Sequence, residues 1–148
     1  MNPLAPVLQQ EAQALLNTAK QLRPDQAEAA LDCLQRCSEQ GAKLVVTGVG
    51  KSGIVARKIA ATFTSIGLMA IYLNPLDALH GDLGVVGSDD VVFLLSNSGE
   101  SPELLALLPH LHRRGSACIG LTGQLNSSLA KACQVVLDGS VAVSYTHL

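Results

Sequence analysis

Five short apolar runs constrain this chain most: LVVTG at 44–48, MAIYLN at 69–74, VVFLLSNSG at 91–99, SACIGLTG at 116–123 and CQVVLDGS at 133–140. Their apolarity is continuous rather than alternating, the pattern of strands buried on both faces, and each closes on Gly, Asn, Asp or Ser. Helix-sized segments separate most of them, from Ser52 to Ile66, from Ser101 to Arg114 and, more briefly, from Asn126 to Ala132. The link from Leu73 to Asp90 carries Pro75, Gly81, Gly84 and Gly87 and reads as irregular. Strands alternating with helices in this way predict a parallel sheet with right-handed crossovers and helices on both faces.

Two helices precede the first strand. Leu4, Val7, Leu8, Leu15, Ala19 and Leu22 recur at helical spacing and define one face of the first. Pro24-Asp25 restarts the chain, and the second helix presents Ala27, Ala30, Leu31, Leu34 and Cys37 before stopping near Gly41, where a left-handed cap is expected. The expected fold is α/β, a doubly wound three-layer αβα sandwich around a five-stranded parallel sheet. It reads as a single domain over 1–148, with N-terminal helices in 1–40, the α/β core in 43–143 and an atypical tail in 144–148.

With 48% hydrophobic and 15% charged residues, 148 residues suffice for a well-buried core. A net charge of -2, no Trp, two Tyr and two Phe offer neither the field nor the stacking surface for nucleic acid. The start MNPLAPVLQQEAQ lacks the basic and apolar regions of a signal peptide, and no apolar run approaches the ~18 residues of a membrane span. A cytoplasmic protein without membrane or nucleic-acid partners is expected. Cys33, Cys37, Cys118 and Cys133 form no C-x-x-C pair and read as small reduced hydrophobes, with no metal site.

In such a sheet, ligands sit beyond the carboxyl ends of the strands. The residues there are Gly48, Gly50, Lys51, Ser52 and Gly53 after the first strand, Ser96 to Ser101 after the third, and Thr122 and Gly123 after the fourth. Gly50-Lys51-Ser52 spells the tail of a nucleoside-triphosphate loop, but the first glycine of that motif falls at Val45, inside the strand, and no acidic residue ends the third strand to hold magnesium. Gly48-x-Gly50-x-x-Gly53 fits a dinucleotide fingerprint, yet the second strand ends in Leu73-Asn74-Pro75 with Asp77 displaced, so the ribose-binding acid is out of place. That reading stays open on the glycines alone.

The loop SNSGESPE, 96–103, is more telling. It combines the hydroxyls of Ser96, Ser98 and Ser101 with a helix start made of Ser101 as N-cap, Pro102 and Glu103. A helix amino terminus offers free N–H groups and partial positive charge, enough to bind a dianionic phosphate; simple turn and cap duties for the serines are the alternative.

Taken together, TGVGKSG at 47–53, HGDLG at 80–84 and SNSGESPE resemble the sugar isomerase (SIS) domain, specifically the arabinose 5-phosphate isomerases that supply the Kdo sugar of lipopolysaccharide. The resemblance runs from about Leu4 to Val143. It implies interconversion of ribulose 5-phosphate and arabinose 5-phosphate through an enediol, without a redox cofactor, in a homotetramer. It marks Lys51, His80 and Glu103 as matching catalytic candidates. Phosphate and sugar would be held by Ser96, Ser98 and Ser101, joined by Gly50, Ser52, Asn97 and Thr122. Lys51 opens a helix, where its charge opposes the macrodipole unless an anion lies near. His80 lies in the irregular loop rather than on an apolar helix face, whereas Glu103 is an ordinary first-turn residue. Glu100 is adjacent to the family's position but does not match it.

The chain also departs from the isomerases, which continue after the fifth strand with Glu-Ala-Cys-Pro, a Thr/Ser-rich loop, a long helix and a later histidine. Here VAVSYTHL, 141–148, stands instead, and His147 does not match the missing histidine. The expectation is a truncated chain, without the last helix or CBS modules, whose residues after Val143 are foreign to the family. Two functions follow as expectations: an isomerase of which this chain is a slow or inactive fragment, and a non-catalytic phosphosugar-binding module.

Overall fold

A computed structural model describes residues 2–141. The tail at 144–148, including His147, lies outside the described residues, as do 142 and 143. Helices α1 (Ala5–Gln21) and α2 (Pro24–Glu39) lead into β1 (Leu44–Gly48), α3 (Lys51–Ser65), β2 (Ala70–Tyr72) and α4 (Pro75–Leu79). A 3-10 turn (Asp82–Val85), β3 (Val91–Leu95), α5 (Pro102–Arg114), β4 (Ala117–Thr122), α6 (Ser128–Ala132) and β5 (Val135–Asp138) complete the order.

The five strands form one parallel sheet in the order β2-β1-β3-β4-β5. The chain steps from β1 outward to β2, then crosses back to β3, so its direction reverses between β1 and β3. Two apolar layers follow from this winding. Leu44, Val46, Val91, Leu95 and Ile119 face Ala30, Cys33 and Cys37 of α2 and Ala56 and Ala60 of α3. Val45, Val92, Leu94 and Cys118 face Ala78 of α4, the four leucines 104, 107, 108 and 111 of α5, and Leu129 of α6. The irregular link resolves into α4 and the 3-10 turn, and Asn74 caps α4 through Oδ1 with bonds from the amides of Leu76 (2.9 Å) and Asp77 (3.4 Å).

Burial on both faces holds for β1, every residue of which is buried, but not for β2, an edge strand whose three residues are half-buried. The helical face assigned to α1 is real as a pattern, yet α1 buries no residue, and Leu4, Leu8, Leu15 and Leu16 are all exposed. Periodicity reports that a face is apolar, not that this chain supplies its cover. On α2, Leu31 is 65% exposed, and Cys33 takes the inward place given to it. Gly41 adopts φ +66 beyond the end of α2, the left-handed cap that its position predicts. Among the described residues, no helix is long and apolar enough to cross a membrane.

All four cysteines are free thiols; Cys33, Cys37 and Cys118 are buried and Cys133 is half-buried. Burial pushes the Cys118 thiol up to about 11. Burial, aided by Cys118, takes that of Cys133 to about 12, so both are neutral and unreactive near pH 7.

At the sheet end away from the site, Asp90 is 5% exposed and accepts from Lys43 N (2.9 Å), Lys43 Nζ (2.6 Å) and Gly87 N (2.7 Å). Burial raises its pKa, but the bonds from Lys43 and Gly87 outweigh burial and hold the carboxyl below its ordinary value. A depressed folded pKa gives stability that is present above the unfolded value, near 3.9, and is lost as pH falls through the folded value. Asp90→Asn is expected to cost about 3 kcal/mol in urea unfolding at pH 7, because it strands the Lys43 ammonium. The gap from wild type should begin to narrow below about pH 4 and close only once pH falls below the folded value; a gap independent of pH would show that the charge is not what matters.

Candidate functional site

The reversal between β1 and β3 opens a crevice at their carboxyl ends, the place where doubly wound sheets bind ligands. β1 closes at Gly48, and α3 begins three residues later. That tight junction depends on two glycines. A Cβ on Gly48 would lie 2.9 Å from the Ser52 carbonyl, and one on Gly53 would lie 2.8 Å from the Gly48 carbonyl and 3.0 Å from Tyr72 Oη. Tyr72 Oη donates to Gly48 O (3.1 Å), and the Arg57 guanidinium lies 4.6 Å above the Tyr72 ring. Gly48 and Gly53 thus serve strand–helix packing. Gly50, at φ +61 and ψ -127, makes the turn that places Lys51 as the first residue of α3.

The serine loop between β3 and α5 is fixed from within. Ser96 Oγ accepts from Gly99 N (3.0 Å) and shares a 2.8 Å hydrogen bond with Ser101 Oγ. Ser98 Oγ accepts from Glu100 N (3.1 Å). Ser101 stands at the N-cap of α5 as expected, but its hydroxyl is spent on Ser96 rather than on the helix. The first helical bond of α5 runs from Leu105 N to Ser101 O (3.0 Å), leaving the amides of Glu103 and Leu104 ahead of it. β4 steadies the loop from the side: Gly123 N donates to Asn97 O (3.0 Å), and Thr122 Oγ1 donates to the same carbonyl (3.3 Å) while accepting from Gln124 N (3.1 Å).

These loops enclose a cleft of ≈ 400 Å³ lined by Lys51, Ser52, Val55, Leu95, Ser96, Asn97, Leu121, Thr122, Gly123 and Gly139. Among the described residues, Lys51 is the only charged one in that lining, and it is exposed. A cation at the amino terminus of α3, on a chain of net charge -2, gives the cleft wall a local positive charge. The loop that leads into the amino terminus of α5 enters the cleft through Ser96 and Asn97. Five of the sequence candidates line it: Lys51, Ser52, Ser96, Asn97 and Thr122. Gly50, Ser98 and Ser101 lie in the same two loops.

His80 and Glu103 are not brought to the wall of the cleft. His80 is the exposed C-cap of α4, and Glu103 is half-buried in the first turn of α5. Val55, Leu95, Leu121 and Gly139 line the cleft although no motif marks them. Uniform apolarity along a strand hides which residue ends at the ligand, and Gly139 enters through its amide bond to Thr122 O (2.9 Å).

Thr47, next to this junction, is fully buried, and its Oγ1 is without a hydrogen-bond partner among the described residues. It shares the face of Val45, opposite Leu94 of β3. Thr47→Val keeps the shape and removes the unmatched hydroxyl, so urea unfolding should show a gain of about 1 kcal/mol. A loss of stability would reveal a bond that the hydroxyl makes.

The fold, the winding reversal and the serine loop define a class. The SIS domain family matches residues 38–144, and the chain belongs to that family. Within it, the chain is 50% identical over 99 residues to Arabinose 5-phosphate isomerase KdsD of Pseudomonas aeruginosa, covering 67% of this chain and 30% of that protein. The chain spans well under half the length of the curated relatives it matches. Among solved structures, E. coli CFT073 c3406 in complex with A5P superposes with a TM-score of 0.78 at 40% identity, covering 95% of this chain and 76% of that one. A Bacteroides fragilis NCTC 9343 structure, provisionally described as a phosphosugar isomerase involved in capsule formation, superposes with a TM-score of 0.88 at 35% identity, covering 97% and 76%.

Proposed function

We propose that the cleft binds a pentose 5-phosphate and that the domain is built for interconverting arabinose 5-phosphate and ribulose 5-phosphate through an enediol, in a cytoplasmic pathway toward lipopolysaccharide sugars. The observation that carries this reading is the convergence of the serine loop, at the amino end of α5, with Lys51, at the amino end of α3, on one cleft of ≈ 400 Å³. The phosphate dianion sits at the serine loop, where hydroxyls and free amides replace its water. The sugar then extends toward Lys51.

Isomerisation moves a proton between C1 and C2, so it needs a base at carbon, a proton shuttle between the oxygens and positive charge for the oxygen that becomes anionic. Lys51 Nζ supplies the charge. Glu103 and His80 are the proposed proton carriers, and neither lines the cleft, so substrate or a subunit partner must bring chemistry to them. That same placement favours a second reading, a SIS-type module that holds the sugar phosphate without turning it over.

Titration of the chain with arabinose 5-phosphate, followed by amide NMR, tests the shared step: shifts concentrated in Ser96 to Glu103 are expected. No shift there at millimolar ligand sinks the phosphate assignment. Proton exchange at C1 or C2 from deuterated water then separates the two readings, since only the isomerase exchanges.

A homo-oligomer, a tetramer by family likeness, is part of the proposal. Its support is α1, whose exposed Leu8 and Leu15 share one face with the N-cap residue Leu4. Light scattering should find more than one copy, and Leu8→Glu with Leu15→Glu should return a monomer; an unchanged mass would place the contact elsewhere.

A further inference from the structure

Glu100 sits inside the loop assigned to the phosphate, where a carboxylate is on its face a liability, because it repels a bound dianion. Its side chain is engaged elsewhere. Oε1 accepts from both Ser128 N (2.8 Å) and Ser128 Oγ (3.1 Å) in the first turn of α6. The bond from the Ser128 amide, followed by that from its hydroxyl, holds the Glu100 carboxyl below its ordinary value, so it is ionised at neutral pH.

Two more contacts tie the same two segments together. Leu129 N donates to Gly99 O (3.1 Å), and Gly99 packs so closely on Ser127 that there is no room for a Cβ between them. The far side of this joint is firm. Leu129 is fully buried in the core, Ser127 is buried, and Ser127 Oγ caps α6 by accepting from Ala130 N (3.3 Å). The apex of the serine loop is therefore fastened to the next strand–helix unit of the fold, and the Glu100 carboxylate makes two of the three hydrogen bonds.

We propose that Glu100 is a positioning residue: through Ser128 it latches the serine loop to α6 and holds Ser96, Ser98 and the start of α5 in the arrangement that receives the phosphate. The inference rests on the phosphosugar reading above and adds a residue that reading does not use. It explains why a loop that must accept a dianion tolerates an acid, since the charge is directed at α6 and away from the ligand.

The test compares Glu100→Ala, Glu100→Gln and Ser128→Ala by amide NMR and by titration with arabinose 5-phosphate and with inorganic phosphate. Glu100→Ala removes both acceptor bonds and is expected to weaken binding of either ligand roughly tenfold, with shifted Ser96 to Ser101 amides in the free protein. Glu100→Gln keeps an oxygen that accepts from Ser128 and should stay within about twofold of wild type. Ser128→Ala, which removes the hydroxyl alone, should move in the direction of Glu100→Ala by a smaller amount.

Wild-type affinity with unshifted loop amides in Glu100→Ala overturns the proposal. Equal tightening in Glu100→Ala and Glu100→Gln also overturns it, because that is the signature of relieved repulsion and nothing more. Should wild type bind neither ligand, the phosphosugar reading falls instead. The latch is then decided by the free-protein spectra: loop and Ser128 shifts in Glu100→Ala but not in Glu100→Gln uphold it, and unshifted spectra overturn it.

Discussion

Gly99→Ala is expected to lose about 3 kcal/mol of stability and, with it, detectable binding of sugar phosphate at millimolar concentration. Two costs add. Gly99 has φ +68, a left-handed conformation that costs an L residue about 1 kcal/mol. A Cβ there would also collide with the Ser127 side chain and lie 2.9 Å from Thr122 Oγ1, and crowding of that kind in a packed site costs about 1–3 kcal/mol. Gly41 separates the two costs, because it has φ +66 and no atom within 4 Å of the place a Cβ would take. Gly41→Ala should therefore lose only about 1 kcal/mol and leave the site untouched. Urea denaturation of both variants, with phosphate titration, measures the difference. Equal losses would mean that the contact with Ser127 relaxes at little cost and that loop position is set elsewhere.

That contrast also shows what the sequence discloses and what it withholds. Gly41 is legible as a special backbone position from the helix end it follows, whereas Gly99 reads only as one small residue of a serine-rich loop. Only the fold reveals that Gly99 faces Ser127, because nothing local links a turn after β3 to a cap before α6. The strands are legible for a similar reason: LVVTG, VVFLL and ACIGLT advertise burial by composition alone. Their lateral order is not, and it is the reversal between β1 and β3 that puts Lys51 beside Ser96.

Polar pairings are hidden most completely. Ser101 reads as a capping hydroxyl and is in fact bonded to Ser96, and Glu100 reads as a bystander until Ser128, 28 residues on, arrives at 2.8 Å. The first helix departs from expectation differently. Its apolar face is right as a pattern and wrong as core, since a period of 3.6 cannot name the surface that covers it.

Lys51→Met is expected to separate stability from chemistry by moving them in opposite directions. Lys51 is the first residue of α3, exposed, with its charge at the positive end of the helix, so removing the charge should raise stability by about 0.5 kcal/mol. Affinity for arabinose 5-phosphate should fall less than tenfold, because the phosphate is assigned to the serine loop and Lys51 meets only the sugar end. The proton-exchange rate at C1 or C2 should fall roughly 10²–10³-fold, the usual cost of losing a preorganised group aimed at a developing oxyanion. A residue kept merely for solubility would leave affinity and rate alone, and one kept for ground-state binding would lower affinity while leaving the rate at saturating sugar phosphate unchanged. Exchange at the wild-type rate in Lys51→Met would therefore remove Lys51 from the chemistry, and an absence of exchange in wild type itself would turn the domain into a binding module. The expected pattern, a more stable protein that binds nearly as well and reacts far more slowly, arises only if the cation's unfavourable place at the helix start is compensated by an anion that forms during the reaction.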